Sequence, residues 1–545
     1  MGTPNVLQHI GPHCVVRSFP SPSRVLCFFY QRHHSTLTLM VELLEIAPLD
    51  QLFSHFRYQL TLRSTEGNYR SLILFRLSTS QDVPNYDQER GEEETQLEKE
   101  SDPSARLNTN GRQLYAMEAT CPHLGAELSH AEIEDCGDSV VAVCPWHRYD
   151  FDLRTGKSET GLKACTFAVY VNVDDRGVEM VSLETPNEGS GWRLVELRPV
   201  SEEFADPPRL SSPSIKKDTQ IECTPLVEDE PVVPLENPPK TLMQWGVLIL
   251  NTPNPTLKVE RTRHAVHLFR TGKLKSIGHK SANAPRPPEV PSRDASWMRN
   301  LETDPTKVKH RKNKAVMLHA LANIEQWAID LAWDIMVRFG PLHPDIPPAF
   351  FHDFTKMALD EAKHFSFLTT RLSAISPSTP YGSMPVQASL WESATTTSHS
   401  LRARLAIIHL VHEARGLDVN PGTIDRFRRA GDIDTVKAME VIHSDEVTHV
   451  TSGHRWFMWI CEQQGINPED GGVVRAFREE VKKNFRGEIK GPFNVEARET
   501  AGMTRDFYEN LRGEFTEFAE LSRADFMGKS RGTVADVTVA YETSS

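Results

Sequence analysis

The chain has 545 residues, room for roughly two to four domains at about 150 residues each, and 61 Lys and Arg against 74 Asp and Glu leave a formal net charge of −13. That balance excludes nucleic-acid binding through a general basic field, and no apolar run approaches the roughly 18 residues that would span a bilayer. Hydrophobic residues make up 39% of the chain, enough for ordinary cores, and eight cysteines are too few for a disulfide scaffold, so their spacing is what matters.

In chain order, residues 1–41 contain Arg17, Arg24 and Arg32 with no acidic residue before Glu42. They read as a disordered tail or a mitochondrial transit peptide. Residues 42–200 carry short apolar runs such as Leu72-Ile73-Leu74-Phe75 and Val140-Val141-Ala142-Val143 between turn residues, which predicts a small all-β domain. An acidic insertion near 79–110 cannot bury enough apolar surface to order itself. Residues 201–242 are rich in Pro, Glu and Asp and predict a semi-extended linker. From 243 to 528 the pattern turns helical, with a segment over Pro255 to Gly272 and then long amphipathic runs, and 529–545 reads as a tail. The fold class expected is therefore multidomain: a small all-β domain followed by an all-α domain.

Two loops in the β domain pair a cysteine with a histidine: Cys121-Pro122-His123 and Cys144-Pro145-Trp146-His147. Two thiolates and two imidazoles from a pair of loops suit a 2Fe–2S centre with one iron on sulfur and one on nitrogen, with zinc as the competing metal. The longer segments, Cys121-Pro122-His123-Leu124-Gly125 and Cys144-Pro145-Trp146-His147-Arg148-Tyr149-Asp150, with Thr155-Gly156-Lys157 following, closely resemble the cluster loops of Rieske ferredoxins. The respiratory-complex branch has a further cysteine in each loop, and this chain has Ala126 and Trp146 there. The resemblance is thus to the soluble, oxygenase-associated type. It implies a potential at the low end of the roughly −150 to +300 mV Rieske range and a donor role. Cys136 and Cys165 lack partners at ligand spacing and are expected to be buried apolar thiols.

The helical domain repeats one pattern: Asp360-Glu361-Ala362-Lys363-His364 and Asp445-Glu446-Val447-Thr448-His449. Glu and His three apart share a helical face, and both pairs fall on apolar stripes that run through Phe354, Met357 and Leu368 and through Met439, Ile442, Gly453 and Trp456. Glu325 within Leu318 to Phe339, and Glu413 on the row Ala403, Ala406, Leu410, Leu417, each add one carboxylate to a core face. A lone buried Glu is most simply a salt-bridge partner. Four in the order Glu, Glu-x-x-His, Glu, Glu-x-x-His are the ligand inventory of a ferritin-like di-iron carboxylate bundle. Such a donor set favours iron, or manganese, over zinc or copper. Asp360 and Asp445 lie on the faces of His364 and His449 and can accept a ring N–H from the same or the opposite histidine. Glu440-Val441-Ile442-His443 is a decoy of the same form without the preceding Asp, and His319, His409 and His412 read as core or surface histidines.

These segments, together with Leu318-His319-Ala320-Leu321-Ala322-Asn323-Ile324-Glu325 and His412-Glu413-Ala414-Arg415-Gly416-Leu417, resemble a ferritin-like family of unassigned function. They are more distantly similar to the tRNA isopentenyladenosine hydroxylases, di-iron monooxygenases. The combination implies a Rieske-coupled non-haem di-iron oxidoreductase, an O2-activating hydroxylase or monooxygenase. Its 2Fe–2S domain, charged by an external ferredoxin or flavin reductase, feeds the di-iron site for an unknown small-molecule substrate. The other readings are a redox or oxygen sensor and an iron-handling protein with no organic substrate. RNA as substrate has one supporting feature, the basic run Lys258, Arg261, Arg263, Arg270, Lys273, Lys275 and Lys280, which better suits a docking face for the acidic first domain or a solvated helix. Iron chemistry of this kind places the protein in the cytoplasm or mitochondrial matrix.

Overall fold

The computed structural model describes residues 14–18, 24–29, 41–77, 113–137, 139–200, 230–302, 313–468 and 470–516. The acidic insertion, most of the linker, the C-terminal tail and the transit-peptide reading of the first residues fall outside them. Two compact units divide the chain, the first break lying between Phe204 and Ala205. Among the described residues no helix is long and apolar enough to cross a membrane.

The first unit is all β, with strands β1 (Cys14–Ser18), β2 (Arg24–Phe29), β3 (Val41–Pro48), β4 (Arg57–Arg63), β5 (Tyr69–Leu77), β6 (Gln113–Glu118), β7 (Glu132–Asp135), β8 (Val140–Val143), β9 (Asp150–Asp152), β10 (Thr166–Phe167), β11 (Val169–Val173), β12 (Glu179–Glu184) and β13 (Arg193–Pro199). One sheet runs β1-β2-β3-β12-β11 and a second β10-β6-β5-β4-β13. In β4 the period-two pattern buries Tyr58, Leu60 and Leu62, which join Leu44, Leu72, Leu74, Leu114, Val181 and Trp192 in one core. β1 and β2 occupy residues expected to be a tail: the apolar runs Cys14-Val15-Val16 and Val25-Leu26-Cys27-Phe28-Phe29 pair in register and extend the first sheet through β3. A third, small sheet of order β7-β8-β9 carries one cysteine loop on its β8–β9 connection.

The second unit is mostly helical: α1 (Leu242–Leu250), α2 (Pro255–Arg270), α3 (Ala295–Arg299), α4 (Lys314–Phe339), α5 (Pro348–Ile375), α6 (Ser389–Thr396), α7 (Leu401–Arg404), α8 (Glu413–Arg429), α9 (Ile433–Gln463), α10 (Gly472–Asn484), α11 (Val495–Thr500) and α12 (Arg505–Tyr508), with a two-stranded ribbon of β14 (Arg486–Glu488) and β15 (Arg512–Glu514). Helices α4, α5, α8 and α9 form the central four. Asn313 caps α4 by accepting from the Ala315 amide, and Asp432 caps α9 by accepting from Thr435. From Gln326 to Val337 every residue of α4 is buried. Its carboxylates there are matched by cations: Asp330 meets Lys258 at 2.5 Å and Arg293 at 2.6 Å, and Asp334 meets Arg404 at 2.5 Å and Arg338 at 2.7 Å. Between α7 and α8, Leu405–His412 forms a π-helical turn that ends against Glu413.

His319 shows how the bundle uses a neutral histidine. Its Nε2 accepts the Gly382 amide at 2.9 Å and the Met384 amide at 3.4 Å, and burial lowers its pKa to about 4. Replacement His319→Leu orphans both amides and is expected to cost about 1–3 kcal/mol at pH 7.5. Below the usual value of 6.5 the unfolded chain binds a proton that the folded chain refuses, so the contribution is complete above that pH and is lost toward pH 4. Urea midpoints of the two proteins should therefore differ at pH 7.5 and converge near about pH 4.5. A gap that stays constant with pH would show that the ring is not neutral in the fold.

Candidate metal centres

The two cysteine–histidine loops close in the same way. The Cys121 amide donates to the Ala126 carbonyl at 2.7 Å and the Gly125 amide to the Cys121 carbonyl at 2.8 Å; the Cys144 amide donates to Tyr149 at 2.7 Å and the Arg148 amide to Cys144 at 3.0 Å. Each closure needs a left-handed residue four positions after the cysteine. Gly125 (φ 74°) supplies it without strain, whereas Arg148 adopts φ 61° with its guanidinium paired to Glu132 and Glu134. Gly156, in the turn after β9, is fixed by space as well as conformation, since a Cβ there would lie 1.9 Å from the Ala164 carbonyl oxygen.

Cys121, His123, Cys144 and His147 come together. Both sulfurs are buried, and the His123 and His147 rings meet edge to face at 4.8 Å. The facing Cys144 sulfur and burial push the Cys121 thiol up, whereas the Cys121 sulfur draws the Cys144 thiol below its usual value. Amides of His123 and Leu124 point at one sulfur and those of Trp146 and His147 at the other, so each sulfur is prepared to carry negative charge. Nδ1 of His123 is buried with no hydrogen-bond partner among the described residues. Two paired thiols and two adjacent imidazoles fit a 2Fe–2S cluster bound by sulfur on one iron and nitrogen on the other. Leu124, beside His123, is 54% exposed and marks the open edge of the site. Cys136 and Cys165 are exposed, not buried. Cys136 lies in the β7–β8 turn beside Gly137 (φ 83°), and Cys165 precedes β10 at a sheet edge, so backbone position outweighs the usual preference of the thiol for the interior.

The helical site is built from four helices. Glu325 (α4), Glu361 and His364 (α5), Glu413 (first residue of α8) and Glu446 and His449 (α9) converge as two overlapping groups, Glu325-Glu361-His364-Glu446 and Glu361-Glu413-Glu446-His449, each with ligand atoms within 4.8 Å of one another. Glu361 and Glu446 belong to both. His364 Nδ1 lies 3.2 Å from Glu361 and 3.5 Å from Glu325; His449 Nδ1 lies 3.0 Å from Glu361 and 3.6 Å from Glu446. The Nδ1 contacts of His449 lack hydrogen-bond geometry, and this nitrogen, Glu361 Oε1 and Glu446 Oε2 are buried without hydrogen-bond partners among the described residues.

Charge separates these glutamates from the salt-bridged carboxylates of α4. None of the four meets a Lys or Arg among the described residues. Burial and then the charge of Glu361 push Glu325 well above the usual carboxylate range, and burial followed by Glu446 and Glu361 does the same to Glu413. Burial also opposes ionisation of Glu361, but His449 and His364 outweigh it and hold this carboxyl well below that range. Burial without a Lys or Arg thus disfavours the anionic form of Glu325 and Glu413, and four carboxylates with two imidazoles fit a pair of divalent ions such as iron or manganese.

The aspartates support the opposite helix. Asp445 accepts His364 Nε2 at 2.9 Å and Asp360 lies 3.4 Å from His449 Nε2, so each ring turns Nδ1 toward the cluster. Lys363 ties the supports together, 2.6 Å from Asp445 and 3.3 Å from Asp360, with its side chain 1% exposed. The motif hid this lysine in plain view, three residues after one aspartate and on the face of the next. Lys363→Met removes the cation that the two buried aspartates share, and an expected loss of roughly ten-fold or more in metal retention follows from the loosened rings. Metal content after a chelator challenge measures it; undiminished retention would leave the lysine a packing role only.

Glu440 of the decoy motif is exposed and pairs with Arg428 at 2.9 Å. His412 meets Ser393 at 3.0 Å. The basic run is only partly a surface: Lys273, Lys275 and Lys280 are exposed, but Lys258 and Arg261 are fully buried, the one on Asp330 and the other on Thr252, Pro231 and Val232. These two residues brace the fold, which withdraws them from any RNA-facing patch.

Residues 77–168 match the family model of the Rieske [2Fe-2S] domain, and residues 251–509 match the model described as "Protein of unknown function (DUF455)". A Haemophilus influenzae protein described as uncharacterized is 33% identical over 196 residues, 35% of this chain and 65% of that protein. The chain thus spans less than two thirds of the length of that curated relative. A solved Mycobacterium tuberculosis structure, described as the small subunit of an NADH-dependent nitrite reductase, is 15% identical, covers 26% of this chain and 93% of that one, and superposes with a TM-score of 0.16.

Proposed function

We propose that this chain, which joins a Rieske 2Fe–2S domain to a DUF455 domain, is an oxidoreductase whose cluster feeds electrons to a ferritin-like di-iron site that activates O2 for hydroxylation or desaturation of a small organic molecule. One observation carries the reading: two four-donor groups share Glu361 and Glu446 and have no basic partner among the described residues. Two iron ions bound there would supply the reductive chemistry of O2. Glu325, Glu361, His364, Glu413, Glu446 and His449 would hold them, with Glu361 and Glu446 common to both donor groups. Asp445 and Asp360 fix the rings, and Phe354, Met357, Ile442 and Trp456, all at most 2% exposed, line the stripes beside the ligands and keep water away. A ferredoxin or flavin reductase charges the cluster from outside. Carriage on one chain raises the donor's effective concentration toward about millimolar.

The test is to reduce the iron-loaded protein anaerobically, admit 18O2 and compare wild type with Glu413→Ala. Fast reoxidation in wild type alone, with label found in an organic product from extract, is the expected result. Equal reoxidation in both proteins would leave the cluster as the sole O2-reactive group and end the proposal; stoichiometric, unrepeated uptake would make the protein a sensor.

A further inference from the structure

The ring of His409 sits in the π-helical turn four residues before Glu413, 1% exposed, and neither Nδ1 nor Nε2 has a hydrogen-bond partner among the described residues. Its neighbours place it. The ring packs edge-on against Phe354 at 5.1 Å, two turns before Glu361 on α5. On α9 it faces Gly453, one turn after His449, where a Cβ would lie 2.5 Å from the His409 Cβ. His409 therefore occupies the layer of the bundle that borders the carboxylate cluster, and glycine at 453 lets the backbone that carries His409 approach α9 closely.

Two unmatched polar atoms in a dry layer destabilise a fold, and a leucine would fill the space without that cost. Several other histidines of the unit have a partner for at least one nitrogen: His319 two amides, His412 Ser393, His364 Asp445. Burial, then Arg404 and His449, lower the pKa of His409 to about 3 and so hold its ring neutral. A neutral imidazole offers one donor and one acceptor on opposite edges of the ring, and a hydroxyl is a group that can serve at either; a carboxylate can meet only the donor and an ammonium only the acceptor.

We infer that His409 is the hydrogen-bonding residue for a hydroxyl, of water or of an organic substrate, bound in the layer beside the carboxylate cluster. That the hydroxyl is the substrate's rests on the oxygenase reading; that the ring takes a hydroxyl does not.

The experiment uses the full-length, metal-free chain with 15N-labelled histidine, the His409 resonances being assigned by their loss in His409→Leu, or in His409→Gln if the leucine variant fails to fold. Methanol through butan-1-ol are titrated against dimethyl ether, which accepts but cannot donate. A saturable shift of a His409 nitrogen with an alcohol, absent with the ether, and binding at least about ten-fold weaker in the variant, assigns an organic hydroxyl. Nitrogens already hydrogen-bonded in buffer and indifferent to alcohols assign a resident water. Nitrogens free of hydrogen bonds under every condition overturn the inference. Failure of the wild type to bind iron would instead strike the oxygenase reading and leave these arms intact.

Discussion

Glu361→Ala is expected to take iron in the helical unit from about two ions per chain to near zero, whereas Glu325→Ala and Glu413→Ala should each remove about one. The difference follows from position. Glu361 belongs to both donor groups and lies 3.2 Å from His364 and 3.0 Å from His449, while Glu325 and Glu413 belong to one group each. Its carboxylate is also the charge that both histidines share, so its removal strips each half-site of an oxygen and of the field that orients a nitrogen. Folding is separated from ligation by Glu413→Gln, because burial and its acidic neighbours push the Glu413 carboxyl well above the carboxylate range and so favour its neutral form in the metal-free protein. The neutral amide should match it in stability without iron and fail to match it in iron content. Metal analysis and thermal unfolding of metal-free protein read the two effects. Full iron content in Glu361→Ala would refute the shared-bridge geometry.

The residues that announce themselves in the sequence are those whose chemistry is written in short spacing. Glu361 with His364, and Glu446 with His449, are three apart on one helix, so a periodic stripe places both inward, and Cys121 with His123 and Cys144 with His147 are local loops. What needed the fold is whatever depends on a neighbour from elsewhere in the chain. Asp445 supports His364 across 81 residues, and Lys363 closes the pair only because α5 and α9 lie side by side. Arg148 does the work of a glycine at φ 61°, a role no propensity suggests. His409 looked like a core histidine and is one, but its lack of partners is a property of the packed bundle. Composition misled where tertiary contacts override it: Lys258 and Arg261 suggested a solvated basic face and are buried ion-pair and hydrogen-bond anchors, while the short β1 and β2 were hidden in a basic, serine-rich stretch.

Cys144→Ala is expected to abolish the visible absorption and paramagnetic signature of the 2Fe–2S cluster while iron at the helical site stays bound, and to cut reductase-driven O2 consumption by about two orders of magnitude or more. Cys144 is fully buried, its sulfur receives the Trp146 and His147 amides, and the neighbouring Cys121 draws its thiol below the usual range, which favours the thiolate that binds iron. Alanine leaves one sulfur and two imidazoles, too few ligands for two irons, and a loop that can still close through its own backbone bonds. The loss should therefore be of the cluster and not of the β unit's fold. Paired with Glu361→Ala, which keeps the cluster and loses the helical iron, the variant divides the electron path into its two halves. Each should be inactive alone under reductase. Chemical reduction of Cys144→Ala, which bypasses the cluster, should restore a single turnover with O2 that Glu361→Ala never shows. O2 consumption by Cys144→Ala at the wild-type rate under reductase would mean that electrons reach the helical site directly and that the Rieske domain serves another acceptor.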